Sequence, residues 1–145
     1  MLEWKYQNKV LEEVPTGIIA FVYLIENETN GMLYVGKKTM FSTTRKPPLK
    51  GFKRKRVVTV ESNWRAYTGS SQALNTDIEA GHLIKRTILH LCKSKGAATY
   101  LELMEQVNRE VLFDESYYNR FVGCKIHASH VQELQNEKTV DQRGR

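Results

Sequence analysis

Two tyrosines, Tyr23 and Tyr34, stand eleven positions apart in "FVYLIENETNGMLYVGKK", each inside a short apolar run where Val, Ile or Leu would serve a plain core strand. Gly36, Lys37 and Lys38 follow the second tyrosine. A phenol titrates near pH ~10 in water, so taking a proton from a neutral water requires cations or other help beside it. Lys37 and Lys38 begin such a setting. From Met32 to Val60 there is no Asp or Glu, while Lys37, Lys38, Arg45, Lys46, Lys50, Lys53, Arg54, Lys55 and Arg56 supply nine positive charges. Charge of one sign gathers a polyanion, so the chemistry these types could share is the handling of a phosphodiester. The plainer alternative is a pair of core tyrosines and a solvated basic loop. That alternative accounts for the exposed charge but not for the missing acids.

The chain that must position them has 145 residues, enough for one hydrophobic core and too few for two. Its 41% apolar and 26% charged residues exclude wholesale disorder and fibrous classes. With no long apolar run and no apolar segment in "MLEWKYQNKV", an intracellular protein with no membrane association is expected. Cys92 and Cys124 lack metal-ligand spacing and read as two thiols rather than a zinc site or disulfide. His82 and His90 also lack such spacing and read as structural.

Residues 1–16 are expected to be a helix or an irregular arm, ended by Pro15 and Gly17. "IIAFVYLIE" and "MLYVG" read as strands of a hairpin around Asn30-Gly31. Residues 38–56, with Pro47-Pro48, read as a basic loop or flap, followed by a short strand at "RVVTV" and a helix starting near Ser62 or Asn63. A helix is expected over 70–80 with Gly81 as its cap, and "HLIKRTILHLC" reads as a third strand, its mixed periodicity leaving helix open. Ala97 to Val111 reads as a longer helix with Leu101, Met104, Val107 and Val111 as its apolar stripe. The organisation expected is an arm over 1–16, a domain over 17–127 with a basic insert at about 38–60, and a helical or flexible tail over 128–145.

Phe21-Val22-Tyr23 and Tyr34-Val35-Gly36, with their spacing, resemble the two name-giving motifs of the GIY-YIG endonuclease family. "SNWRAYTGSSQALNTDIEAGHLIKRTIL", "SKGAATYLELMEQ" and "YYN" continue the likeness, which is nearest to phage-encoded, homing-type members and spans about residues 18–126. Phe21 stands where the first motif has glycine. The resemblance implies a mixed α/β module, a three-stranded antiparallel sheet flanked by helices. It also implies a DNA endonuclease that uses Mg²⁺ or Mn²⁺, acting on double-stranded DNA as monomer or homodimer. If phage-encoded, it would work in the bacterial cytoplasm.

Carried onto these positions, the resemblance makes Tyr23 and Tyr34 the hydroxyls near the attacking water and Glu102 the metal-binding acid, with Glu105 as the competing register. A lone carboxylate in a basic site suits a hard divalent ion. Arg65, with Lys37 or Lys38, is the candidate for charge relief on the phosphate, Gly36 for close approach of the DNA backbone, and Asn119 for support. Lys38, Lys53, Arg54, Lys55 and Arg56 are the expected DNA contacts. A non-catalytic nucleic-acid-binding protein on the same fold is the alternative, and a structural protein whose tyrosines are only core is a third.

Overall fold

The computed structural model describes residues 2–123, 129 and 134; Cys124 and most of the tail expected over 128–145 lie outside the described residues. The strands are β1 (Trp4–Tyr6), β2 (Lys9–Val10), β3 (Ala20–Asn27), β4 (Leu33–Thr39), β5 (Phe41–Lys46), β6 (Arg56–Glu61) and β7 (Ile84–Cys92). The helices are α1 (Gln72–Glu79) and α2 (Lys95–Asn108), and Trp64–Ala66 forms one 3-10 turn.

The architecture is mixed α/β, but the expected three-stranded sheet is wrong: there is a five-stranded sheet in the order β2-β1-β7-β3-β4 and a separate two-stranded sheet, β5-β6. The two extra strands of the main sheet come from the chain start. Trp4–Tyr6 runs parallel to β7, and β2 returns along β1 through Gln7 and Asn8, both at positive φ. Trp4 drives this docking, because its ring is buried edge-on against Phe21 and Tyr23, at centroid distances of 5.0 and 5.2 Å. The second sheet comes from the basic insert, expected as loop or flap: Phe41 to Lys46 pairs residue by residue with Arg56 to Glu61, leaving only its tip unpaired.

β3 is buried on both faces, as a central strand between β7 and β4 must be. Its odd residues Phe21, Tyr23 and Ile25 face a core with Trp4, Met40, Trp64, Leu74 and Tyr118. Ala20 and Val22 face a second core with Val35, Cys92, Ala97, Ala98 and Val111, under α2. The sheet is thus a middle layer between α2 and the α1 side. Ser71 and Ser94 cap α1 and α2 through their side-chain oxygens, and Gly81 at φ +99 follows α1 as expected.

β7 carries a bulge opposite Val22 and Tyr23, where the register passes from Val22↔His90 to Tyr23↔Ile88. One extra residue reverses which face a side chain takes. Ile88 therefore joins the tyrosine-side core while His90, two residues on, bonds Glu105 of α2 at 2.8 Å. The expected stripe of α2 also needs correction, because Val107 is 58% exposed whereas Ala97, Ala98 and Gln106 are buried. The inward face of this helix carries polar residues.

Candidate active site

β4 is the outer strand of its sheet, so alternate residues turn their backbone N–H and C=O away from β3. Those of Leu33 and Val35 meet partners. Leu33 donates to the Ser116 carbonyl at 2.8 Å and accepts from the Tyr118 N–H at 2.7 Å. Val35 donates to Asn119 Oδ1 at 3.0 Å and accepts from Asn119 Nδ2 at 2.8 Å and Gln106 Nε2 at 3.2 Å. The Lys37 N–H lies near enough to the Glu102 carboxyl to help lower its pKa. The edge is sealed by the closing segment at one end and by α2 at the other. Asn119, expected to tie that segment to the helix, holds the β4 backbone between Tyr34 and Gly36, with Gln106 of the helix sharing one carbonyl.

This edge is where both faces of the sheet meet. Tyr23 pairs across the strands with Gly36, and its ring lies 6.2 Å from that of Tyr34 and 6.1 Å from that of Tyr67. A Cβ on Gly36 would lie 2.4 Å from Tyr23 Oη, and one on Gly69 would lie 3.2 Å from the same oxygen. Two glycines from separate parts of the chain thus leave room for one hydroxyl. The close approach that Gly36 permits is that of Tyr23 itself, rather than only that of DNA. Tyr34 Oη is 3.1 Å from Ser70 Oγ, which is exposed, so the tyrosine pair runs from the core to the surface.

Burial, with the neighbouring phenols Tyr34 and Tyr67 and then the charge of Glu102, pushes the Tyr23 phenol far above its ordinary range. Tyr34 is raised by burial foremost; Ser70 opposes this, and Glu102 and Tyr67 add to it. At neutral pH both tyrosines are protonated. Glu102 is itself raised by burial, partly offset by the Lys37 charge and N–H. Burial pushes Glu105 the same way, but its bonds from His90 and from Arg109 Nε at 2.9 Å prevail and hold it low. The two acids of α2 are thus in different states. Glu105 is ion-paired with Arg109 and bonded to His90, whereas the charge of Glu102 bears on both tyrosines and Lys37 is its nearby cation.

Lys37 Nζ is 2.6 Å from Thr99 Oγ1, one turn before Glu102, and Lys38 Nζ lies 4.3 Å over the Tyr67 ring. Both lysines flank the cluster, on opposite faces of β4. Arg65 does not join it: the expected helix is a 3-10 turn, and the guanidinium bonds Glu61 at 2.9 Å, the Glu12 carbonyl and Glu13. Lys53, Arg54 and Lys55 stand exposed in the tip of the β5-β6 hairpin, and exposed Arg56 opens β6 opposite Lys46. The structure adds Tyr67, Gly69, Ser70 and Thr99, which the sequence reading had not placed at the site. It also adds Arg86, buried with no carboxylate on it among the described residues, pushed down to about 10 by burial. Its guanidinium lies over Trp4 and donates to the carbonyls of Leu2, Arg65 and Tyr67, which fastens the chain start to the segment holding Tyr67.

The class these features define is a small α/β module that presents two strand tyrosines and one helix carboxylate at a sealed sheet edge. A family model described as "Putative endonuclease segE, GIY-YIG domain" matches residues 4–140, and the chain belongs to that GIY-YIG family. No curated protein and no solved structure matches it. Among the described residues no helix is long and apolar enough to cross a membrane, and no group of three or more His, Cys, Asp and Glu is placed to hold a metal ion.

Proposed function

We propose that the chain is a divalent-metal-dependent endonuclease that hydrolyses phosphodiester bonds of double-stranded DNA at the β4 edge. What supports this reading is the packing of Tyr23 against Tyr34 at that edge, with the charge of Glu102 bearing on both phenols while Glu105 is bound to His90 and Arg109. The module comprises residues 17–127, its sheet extended by the strands of the chain start. The likeness to phage-encoded, homing-type members supports a role in a mobile element, acting in a bacterial host.

The donor set fits Mg²⁺ or Mn²⁺. Such ions keep several waters and bind through one or two carboxylates plus substrate phosphate, so a single half-buried acid suffices where a multi-carboxylate cage does not exist. Glu102 is the residue that would hold the ion, which would relieve charge on the phosphoryl oxygens and stabilise the departing oxygen. The residues of the chain do the rest. The protonated tyrosines orient the attacking water as hydrogen-bond partners, since the field around Tyr23 opposes a resident phenolate. As the water oxygen bonds to phosphorus, its proton leaves outward through Tyr34 and Ser70. Lys37 offsets the growing negative charge, taking the part expected of Arg65, and Lys38, held over the Tyr67 ring, would meet the DNA backbone. One such centre cuts one strand, so a double-strand break requires a dimer or two successive nicks.

Supercoiled plasmid incubated with the full chain in Mg²⁺ and in EDTA tests this. Conversion to open circles in Mg²⁺ alone is expected. Firm DNA binding with no conversion in any divalent ion would establish the non-catalytic alternative instead.

A further inference from the structure

The β5-β6 hairpin is largely exposed on both faces, and among the described residues its strands pair only with each other. An isolated two-stranded ribbon is marginal in water, so one standing clear of its own domain needs a reason to be there. Its side chains point to a partner. Residues 41–60 carry seven positive charges, Arg45, Lys46, Lys50, Lys53, Arg54, Lys55 and Arg56, and no acid. Val57 is 63% exposed, Phe52 69% and Leu49 51%, which is unusual for a loop that serves only to be solvated. Thr43, Thr44 and Thr59 line the strands between. Cations for phosphate, hydroxyls for base edges and methyls for thymine are the groups that reading a DNA groove requires.

Resting on the nuclease reading above, we propose that this ribbon enters the major groove of duplex DNA and is the chain's own recognition element. A major groove about 12 Å wide admits a two-stranded ribbon. The deep, narrow major groove of duplex RNA does not, so the partner is DNA. Six paired residues give the ribbon a reach of roughly 17 Å, and its root is fixed. Buried Met40 accepts the Ser62 N–H at 2.8 Å, and Ser62 Oγ donates to the Thr39 carbonyl at 2.6 Å. One leg continues β4, which holds Tyr34, Gly36 and Lys37; the other runs through the 3-10 turn to Tyr67. Groove and cleavage centre would thereby be held at one spacing.

The test is dimethyl sulfate footprinting of the full chain on a 30-bp DNA duplex in EDTA, with affinity measured against salt and against an RNA duplex of the same sequence. Protection of guanine N7, which lies in the major groove, is expected, with at least ten-fold preference for DNA. The triple variant Arg54→Ala, Lys55→Ala, Arg56→Ala is expected to lose that protection and to lower the slope of log affinity on log salt by about 3. A variant with Thr44→Pro and Val58→Pro keeps every charge but breaks the ladder where those residues face each other. It should keep the salt slope and lose the N7 protection, with an unchanged melting temperature for the main domain. Unaltered N7 reactivity on binding, protection confined to adenine N3, equal affinity for RNA, or protection surviving the prolines would overturn ribbon entry. No readout needs cleavage. A chain that protects N7 yet never nicks refutes the nuclease and leaves the ribbon standing, and nicking without protection does the reverse.

Discussion

Gly36→Ala separates a packing claim from a chemical one. The backbone at Gly36 is not in the left-handed region, so alanine there is conformationally ordinary, and on entropy alone it would stabilise the chain by about 0.4–1 kcal/mol. The new Cβ, however, would sit 2.4 Å from Tyr23 Oη, 2.6 Å from its Cζ and 3.0 Å from Tyr34 Cε1. Tyr23 is 1% exposed and wedged against Trp4 and Phe21, so it cannot swing aside, and overpacking of this kind costs about 1–3 kcal/mol. The net loss expected is about 1–2 kcal/mol. Placed on a Tyr23→Leu background, where the overlapped atoms are gone, the same change should become neutral or stabilising by about 0.5 kcal/mol. Tyr23→Phe should relieve only part of the loss, because Cζ remains. Urea unfolding of the single and double variants reads the coupling, expected at about 2 kcal/mol with unchanged m values. Equal cost on every background, additive within about 0.5 kcal/mol, would mean that Gly36 is not shaped by Tyr23.

Glu102 and Glu105 should respond oppositely to neutralisation. Burial raises the Glu102 carboxyl, so its contribution to stability is full below the ordinary value of 4.5 and is lost as pH rises through the folded value; Glu102→Gln should therefore gain stability at pH 7. Glu105 is held low, so its contribution is present above 4.5 and lost as pH falls through the folded value, and Glu105→Gln should cost about 1–2 kcal/mol at pH 7, both read by denaturation across pH. Asn119→Ala strands the Val35 N–H and weakens its carbonyl at a buried strand edge, and should cost about 2–4 kcal/mol by urea titration. Lys37→Met should lower single-turnover cleavage by about 10²-fold or more with duplex affinity nearly kept, whereas Arg65→Met should leave the chemical step unchanged.

The hairpin of Tyr23 and Tyr34 was legible because the two short apolar runs, Asn30-Gly31 and the motif spacing all agree. The chain start was not, because two- and three-residue strands carry no periodicity and the turn uses Gln7-Asn8 in place of a glycine pair. The mixed pattern of "HLIKRTILHLC" is the bulge written in sequence: one residue out of step changes the face of those beyond it. In α2, Glu102, Glu105 and Gln106 occupy positions that a reading by hydrophobicity assigns to solvent, so Val107 was taken as core in their place. Two of the partners of Arg65, Glu12 and Glu13, lie more than fifty residues away in the chain, beyond any local pattern, while Glu61 lies four residues before it. One leg of the ribbon was legible as the strand at "RVVTV"; the other, Phe41–Lys46, was not, because its side chains beyond Phe41 face water on both sides and leave no alternation to read.

The most direct test of the cleavage centre compares Glu102→Ala and Glu105→Ala with the unaltered chain on one duplex in Mg²⁺, measuring single-turnover strand cleavage and binding together. Loss of cleavage in Glu102→Ala with DNA affinity kept, and cleavage retained in folded Glu105→Ala, is the predicted result. Normal cleavage by Glu102→Ala would contradict it and move the chemistry away from the β4 edge.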